Sequence, residues 1–588
     1  MDYIEFKDNS INFESNLEDK LLQNESDCED KKKLEDKDLK RIYKYYIHKG
    51  YHNILLLELV NLGSTIFMVF FILFLVKCID YRGIKKIPKE NDDYIWDYVN
   101  WNNLVEKSFL DISFLFIFGI YISMRILTLL EDLKIYYRVK VFLKKKLRLD
   151  TYDILHMEWS HLVKKIMEEY NLNPYDIHSQ ILRKENIMVS VFHSKINVFI
   201  FSKLMEWNVM YGIFNTLESY LNLDCITVEN LQDENKYQEA EEEQFLVSAI
   251  DNVKKQKIYF KDRNKIKKKC ISNFLVLSLL TYLFMPFIFI YVLFFSFLKY
   301  GERYYHNPAK ITYRQWSLNS IWKLRYFQEL PHEVDMRLDA ASKYSRQYLD
   351  FYKSRIFNTL VKFWLLVLSS IFMVLILLSI VNENILLNLN ISDDKHVLWY
   401  LGILASIIAL GRGISKIKNI KPGEPDLVYQ KIIYYNPLLE DSIDNLSHLG
   451  NKKYEHLRRK KTIVRSYIYQ LLTLMKETLT VLIVPVILIY ICNYLDSILD
   501  RIEEELYYDE KLGFISYQSN FRLVHQDSSR KTLLSFKEFR QKYPEWGANI
   551  EIYQLGENSK FKDDEKIDEK DLSRSIFDKT MESEISII

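Results

Sequence analysis

The residues of this chain that could do chemistry do not assemble into a catalytic pattern. His332-Glu333 opens like the zinc-protease motif, in which two histidines one helical turn apart bind the metal and the glutamate serves as base. Met336 or Arg337 stands where the second histidine is needed, so the motif fails. Gly411-Arg412-Gly413 with Lys416 lacks the spacing of a phosphate-binding loop, and with 14 glycines in the chain such loops are scarce. No Gly-x-Ser-x-Gly nucleophile elbow occurs. Cys28, Cys78, Cys225, Cys270 and Cys492 are scattered without a Cys-x-x-Cys pair, which encodes neither a disulfide framework nor a zinc site. No metal, cofactor or enzymatic activity is expected. What remains are charged side chains set against apolar runs. Lys299, Glu302, Arg303 and His306 follow one run directly, and Arg412 closes another. Such groups either anchor helix ends at a membrane surface or line a polar path through it.

The elements that must position them are membrane segments. Phe274–Leu298 holds 25 consecutive uncharged residues, long enough to cross a bilayer, with Pro286 at its middle. Thr478–Leu495 repeats the design around Pro485. Proline removes one backbone hydrogen bond and crowds the preceding turn, so each segment is expected to bend there. Leu59–Val76 is an 18-residue uncharged run whose helix starts near Ile54, with Glu58 in its first turns. Ser108–Leu130 carries Asp111 near one end and Arg125 near the other, placed either to snorkel to the interface or to serve function. Phe363–Asn382 and His396–Gly411 are joined by only thirteen residues and should form an antiparallel hairpin.

Basic residues fix the expected topology. Residues 31–50 hold eight Lys and Arg and residues 131–150 hold seven, against five in the longer loop 81–107. The positive-inside rule places the N-terminus and the region after Leu130 in the cytosol. If Phe274–Leu298 crossed, the twelve basic residues of 299–362 would face the lumen, and loop 383–395, with one lysine, the cytosol. Entry and return on the cytosolic side restores the rule. The expected fold is therefore all-α and integral to the membrane, with four transmembrane helices, two re-entrant proline-broken helices and both termini cytosolic.

Composition agrees with a chain that is part membrane and part soluble: 588 residues, 48% apolar, 15% aromatic, mean hydropathy −0.15. The net charge of +1 arises with basic residues clustered beside apolar runs, so no nucleic-acid partner is implied. Residues 1–30 are polar and acidic, unlike a cleavable signal. The order expected is a disordered tail (1–38), two spans with a lumenal loop (39–130), then a cytosolic helical region (131–273). The re-entrant segment 274–298 follows, then cytosolic helices (299–362) and the span pair (363–411). Further cytosolic helices (412–477), the second re-entrant segment (478–495), a cytosolic C-terminal domain (496–554) and a disordered tail (555–588) complete the chain. Asn173-Pro174 marks a helix start, 227–244 an exposed acidic insertion, and 513–525 a strand pair. Tyr3 and Phe6 fit a tyrosine-based sorting signal, a short and common pattern.

At WKLRYFQELPHEVDMRL (322–338) the chain resembles the signature of the autophagy-related protein 9 family, carried by Trp322, Arg325, Phe327, Glu329, Leu330, His332 and Arg337. Four further stretches agree in order: IHSQILRKENIMVSVF (177–192) with Glu206-Trp207-Asn208, MPFIFIYVLFFSFLKYGERYYHNP (285–308), LGILASIIALGRG (401–413) and KTLLSFKEFRQKYPEW (531–546). The resemblance covers roughly residues 40–546 and departs at Tyr305-His306-Asn307, where the family often carries a tighter charged cluster.

The resemblance implies four spans and two re-entrant helices per subunit, a domain-swapped homotrimer, and ATP-independent scrambling of phospholipids between leaflets. It implies work on vesicles that seed the autophagosome, at the preautophagosomal structure, Golgi-derived vesicles and endoplasmic reticulum. A lipid-transfer protein of the second autophagy-related class is the implied partner. On that reading Lys299, Glu302, Arg303, His306 and Arg412 are lipid-pathway candidates. The rival readings are a membrane scaffold that moves no lipid and a pore for ions or small solutes.

Overall fold

The computed structural model describes residues 36–84, 98–101, 109–192, 196–220, 226–230, 256–306, 313–352, 354–381, 390–392, 395–414, 424–440, 455–509, 511–524 and 528–546. Tyr3, Phe6, most of the loop 81–107, the stretch 231–244 and the tail 555–588 lie outside them.

Helix α1 (Asp36–Ile47) starts within the expected tail and buries Leu39, Ile42, Tyr45 and Tyr46, a one-sided stripe at helical spacing. The chain then turns sharply at Lys49 and Gly50. Gly50 has φ 115°, a conformation that disfavours any side chain, and a Cβ there would stand 2.9 Å from Thr151 Cγ2. Helix α2 (Tyr51–Leu73) ends in a π turn, Phe74–Cys78. Helix α3 (Phe109–Lys145) runs 37 residues, well past the expected end at Leu130.

Four short helices follow: α4 (Thr151–His156), α5 (Trp159–Tyr170), α6 (Pro174–Ile181) and α7 (Arg183–Val191). Pro174 opens α6 as expected, its missing N–H costing nothing in a first turn. Next come α8 (Ile196–Phe199), α9 (Lys203–Val209) with a π turn at Met210–Asn215, and α10 (Thr216–Tyr220). Ser202 caps α9 by accepting the Met205 N–H at 3.3 Å. Strand β1 (Ile226–Asn230), at the head of the expected insertion, pairs antiparallel with β2 (Gln256–Phe260).

Helix α11 (Arg263–His306) is 44 residues long and passes through Pro286 without ending. After β3 (Arg314–Trp316) come α12 (Leu318–Leu324), α13 (Pro331–Phe351) and α14 (Arg355–Val381). A small pairing of β4 (Asn390–Ser392) with β5 (Lys395–His396) leads to α15 (Val397–Ile414), α16 (Glu424–Tyr435) and α17 (Glu455–Ser466). Strand β6 (Tyr467–Tyr469) pairs with β3 and opens α18 (Gln470–Ile491), which holds Pro485 in its interior. Helix α19 (Leu495–Glu505), the hairpin of β7 (Leu506–Asp509) with β8 (Gly513–Ser516), and α20 (Arg530–Lys542) complete the order.

Two expectations need correction. The helices do not break at their prolines: each tolerates one lost N–H bond within a continuous helix, and Ser278 of α11 donates to the Pro485 carbonyl at 2.8 Å where α11 and α18 pack. The strand pair expected within 513–525 is instead β7 with β8. Beyond Ser516 the chain winds into 3-10 turns, the second capped by Asn520, whose side chain accepts the Arg522 N–H at 3.1 Å.

Tyr51–Cys78, Arg263–Gly301, Ile356–Val381 and Gln470–Glu505 are long and apolar enough to cross a membrane, and Val397–Gly413 is a shorter apolar helix. Helices α14 and α15 form the expected antiparallel pair. Gly411, near the end of α15, lies so close to Leu365, in the first half of α14, that a Cβ would come within 2.6 Å of its Cδ2.

One large hydrophobic core gathers distant segments, two of these helices included. It takes Leu39 and Ile42 from α1, Trp159, Tyr175, Ile187 and Phe192 from α5–α7, and Ile266, Cys270 and Phe274 from α11. Trp322, Phe327 and Leu330, then Leu488, Leu495, Ile515, Phe521 and Phe539, complete it. A second core joins α13, α16, Ile463 and Tyr467.

Candidate functional site

The stretch 322–338 is the junction of the large core, and its polar side chains do the joining. The buried Arg337 and Glu329 meet as a two-pronged ion pair, Nε to Oε1 at 2.7 Å and one terminal nitrogen to Oε2 at 2.8 Å. The remaining guanidinium donors reach the Tyr435 carbonyl (3.1 Å), Asn436 Oδ1 (2.5 Å) and the Leu324 carbonyl (3.0 Å), so all five are used. Trp322 Nε1 donates to Glu206 Oε1 at 2.9 Å, and Arg325 donates to the Glu329 carbonyl at 3.2 Å. His332 Nδ1 and the Tyr43 hydroxyl are 2.8 Å apart, which ties α13 to α1. The Phe327 N–H donates to Ser535 Oγ at 3.0 Å, reaching α20.

Gln328 is the strained point. Its φ of 59° is left-handed, a conformation a non-glycine residue holds only when its surroundings over-determine it. Here they do: its N–H donates to Asn186 Oδ1 (3.1 Å), its side-chain amide to Ser179 Oγ (2.7 Å), and its carbonyl is 3.1 Å from His178 Nδ1. His178 Nε2 receives the Trp159 indole N–H at 3.3 Å and lies 3.0 Å from the Tyr543 hydroxyl. An indole only donates, so Nε2 is the acceptor and the proton sits on Nδ1. Burial pushes the His178 pKa down to about 4. Lys531, buried above Phe327 with Arg325, Arg337 and Lys323 nearby, falls to about 7 chiefly through desolvation, opposed by Glu329. The junction can lock six segments together. A cavity of about 220 Å³ opens at its edge, lined by Lys164, Asn173, Tyr543 and Trp546 among others.

Between the apolar helices lies a different arrangement. Arg125 of α3 forms an ion pair with Glu58 of α2, with side chains 38% and 13% exposed. Arg125 pairs across two helices while its side chain stays partly exposed. Seven residues beyond Glu58, the Thr65 hydroxyl donates to the Asn61 carbonyl of its own helix at 2.9 Å, with Tyr291 of α11 nearby. Deeper still the seam turns apolar, with Val69, Ile72 and Leu73 against Phe118, Phe287 and Phe294. A charged pair followed by hydroxyls and then by a dry plug is an arrangement that can meet a polar headgroup at one end of a seam.

Comparison with known proteins is decisive for kinship. The family model described as Autophagy protein ATG9 matches residues 33–522. The chain belongs to the ATG9 family. Autophagy-related protein 9 of Dictyostelium discoideum is 25% identical over 567 residues, covering 89% of this chain and 74% of that relative. The Komagataella pastoris protein of the same name is 24% identical and covers 83% of this chain, which spans only 54% of its length. The cryo-EM structure of Schizosaccharomyces pombe Atg9 shares the fold, with a TM-score of 0.53 at 18% identity, over 83% of this chain and 98% of that one.

Within this ATG9-family chain, Trp322, Arg325, Phe327, Glu329, Leu330, His332 and Arg337 come together as the junction. The stretch 531–546, beyond the family match, packs against it through Ser535 and Phe539. The charged residues singled out in the sequence do not converge so clearly. Lys299 is exposed, its ammonium 5.5 Å from the Phe295 ring centroid. Glu302, Arg303 and His306 continue α11, and their side chains lie outside the described residues. Arg412 is exposed in the last turn of α15, which packs on α14, whereas α11 packs on α18 and α2. Pro286 is exposed and Pro485 buried. Among the described residues no cluster of His, Cys, Asp and Glu could hold a metal ion. Sequence reasoning missed the Glu58–Arg125 pair, although two opposite charges on successive apolar runs were the available signal.

Proposed function

We propose that this chain is a phospholipid scramblase of autophagosome formation, moving lipids between leaflets without ATP. Membership of the ATG9 family supplies the process. The observation that carries the transport reading is the Glu58–Arg125 pair, which joins α2, a helix apolar enough to cross a bilayer, to α3. A lipid headgroup is excluded from hydrocarbon because burying its charges there costs several kcal/mol. A seam offering one cation and one anion gives phosphate and ammonium a partner each, while the acyl tails stay in lipid. Lipid that moves down its own imbalance requires no nucleotide.

The same reading takes α11 and α18 as re-entrant, places both termini in the cytosol and assembles the subunit as a domain-swapped homotrimer. It sets the protein on vesicles at the preautophagosomal structure and Golgi-derived stores, receiving lipid from a transfer protein of the second autophagy-related class. Lys299, Glu302, Arg303, His306 and Arg412 extend the polar path. A scaffold is the second reading, favoured by the core that segments from across the chain build.

The test is purified protein in liposomes carrying fluorescent lipid in both leaflets, with an impermeant quencher outside. About half the signal survives in sealed vesicles without scrambling, because headgroups do not cross unaided. A fall well below half, without ATP or calcium and with a clean leak control, is the expected result. Half the signal persisting at high protein loading overturns the transport reading in favour of the scaffold. Conductance across a planar bilayer would instead mark a pore.

A further inference from the structure

The segment α8–α10, expected to be cytosolic, carries an exposed aromatic stripe at the level where the uncharged run of α11 begins and that of α18 ends. Lys203, Trp207, Tyr211 and Asn215 recur every four residues and are all exposed, Trp207 at 57% and Tyr211 at 44%. The two rings stack, centroids 5.5 Å apart and planes within 17°. The opposite side is buried: Met205, Asn208, Val209, Gly212, Ile213 and Phe214. A soluble helix exposes polar residues where this one exposes a tryptophan on a tyrosine.

Two independent contacts fix the depth of this segment. Gly212 lies against the ring of Phe274, the first residue of the 25-residue uncharged run of α11, so tightly that a Cβ would fall 2.4 Å from Cε1. One turn on, Thr216 Oγ1 accepts from Asn273 Nδ2 at 2.8 Å, just before that run. At the other end, Phe199 packs on Tyr490 and Tyr494, centroids 6.2 and 5.7 Å away, at the close of the uncharged run of α18. The segment is therefore level with the boundary of both helices. The apolar surface continues from it onto α11 at Leu275, Val276 and Leu279 and onto α18 at Val486 and Ile489, all exposed.

We propose that Lys203, Trp207 and Tyr211 form an interfacial anchor that lies in the headgroup layer of the bilayer on the side of the large core. Trp and Tyr concentrate at this layer because the ring is apolar and one edge is polar, and a neighbouring lysine reaches outward to phosphate. The occupant of this face is phospholipid. The anchor would hold the core against the membrane at a set depth whether or not the chain transports lipid, so it goes beyond the scramblase reading and does not depend on it.

The experiment places p-benzoylphenylalanine, one position at a time, in place of Trp207, Tyr211 or Tyr152 in the full chain, reconstituted in phosphatidylcholine vesicles. Tyr152 is the control. It is 70% exposed, and its neighbour Thr151 packs on Gly50, nine residues before the first uncharged run, which is roughly 13 Å of helix. After irradiation, mass spectrometry should find a phospholipid-sized addition at 207 and 211 and none at 152, with an unchanged size-exclusion profile. Adducts that join two chains, without lipid, would make this face a contact between copies and overturn the proposal. Absence of lipid adducts at either 207 or 211, or equal adducts at 152, would overturn it as well.

Discussion

At the scale of single residues, the junction makes two sharp demands. Arg337 uses five donors at once, and a lysine, with three donors and no planar fork, cannot replace it. Glu329→Gln leaves the guanidinium buried without its counter-charge and should cost about 3–5 kcal/mol. The check is the thermal midpoint in detergent, and a change within experimental scatter would mean that the pair does not stabilise the core. His178 makes the second demand. Its folded pKa is near 4, below the ordinary 6.5, because burial disfavours the charged ring. The unfolded chain binds the extra proton first, so this contribution is full above pH 6.5 and is lost as pH falls toward 4. The loss is about 3 kcal/mol, following from 1.36 kcal/mol per unit. His332, lowered in the same direction, adds to the slope. Unfolding followed at pH 7 and pH 5 should therefore show a smaller acid penalty in His178→Gln, and equal penalties would reject the assignment. None of this was legible in the sequence. The run 177–192 and the run 322–338 stood out as motifs, but that His178, Gln328 and Tyr543 share hydrogen bonds across 150 and 365 positions leaves no local periodic trace.

At the scale of elements, what the sequence made plain was whatever a short window carries. Uncharged runs of helical length gave the apolar helices, thirteen linking residues gave the α14–α15 pair, and Asn173-Pro174 gave the start of α6. What it obscured was partner choice. The pairing of β3 with β6 spans more than 150 residues, and Arg125 finds Glu58 67 positions away. That ion pair separates a structural role from a functional one. Arg125→Leu strands the Glu58 carboxylate among apolar helices, and a charge held there costs about 3 kcal/mol. Replacing both with leucine removes both charges and should restore most of the stability, since two apolar side chains suit these neighbours. If the pair handles headgroups, the double variant should fold well and still scramble slowly. Recovery of both stability and scrambling would reduce the pair to a helix clamp. Gly212→Ala probes the neighbouring contact. Its new Cβ meets Phe274 at 2.4 Å, which should cost about 1–3 kcal/mol in overpacking and be relieved by Phe274→Leu.

At the scale of the whole molecule, one core constrains the path of the chain. Leu277 of α11 belongs to that core, and Leu318 of α12 packs against it again. From Leu277 to His306 a straight helix of 29 residues would travel about 44 Å, more than the ~30 Å of hydrocarbon. Only twelve residues, reaching about 41 Å when fully extended, lead from His306 back to Leu318. If α11 crossed, the twelve-residue link would have to recross the bilayer without being a spanning helix or part of a closed barrel, which hydrocarbon disfavours. The re-entrant reading proposed above has helix α11 lie oblique or curved, entering and leaving on one side. The consequence is measurable with cysteine substitutions in a background whose five native cysteines are replaced. Met336→Cys and Tyr152→Cys, both at exposed positions, should react with an impermeant thiol reagent from the same side of sealed vesicles. Lys395→Cys, between α14 and α15, should react only after permeabilisation. Labelling of Met336→Cys and Tyr152→Cys from opposite sides would show that α11 crosses, and the shared core would then have to form between different subunits.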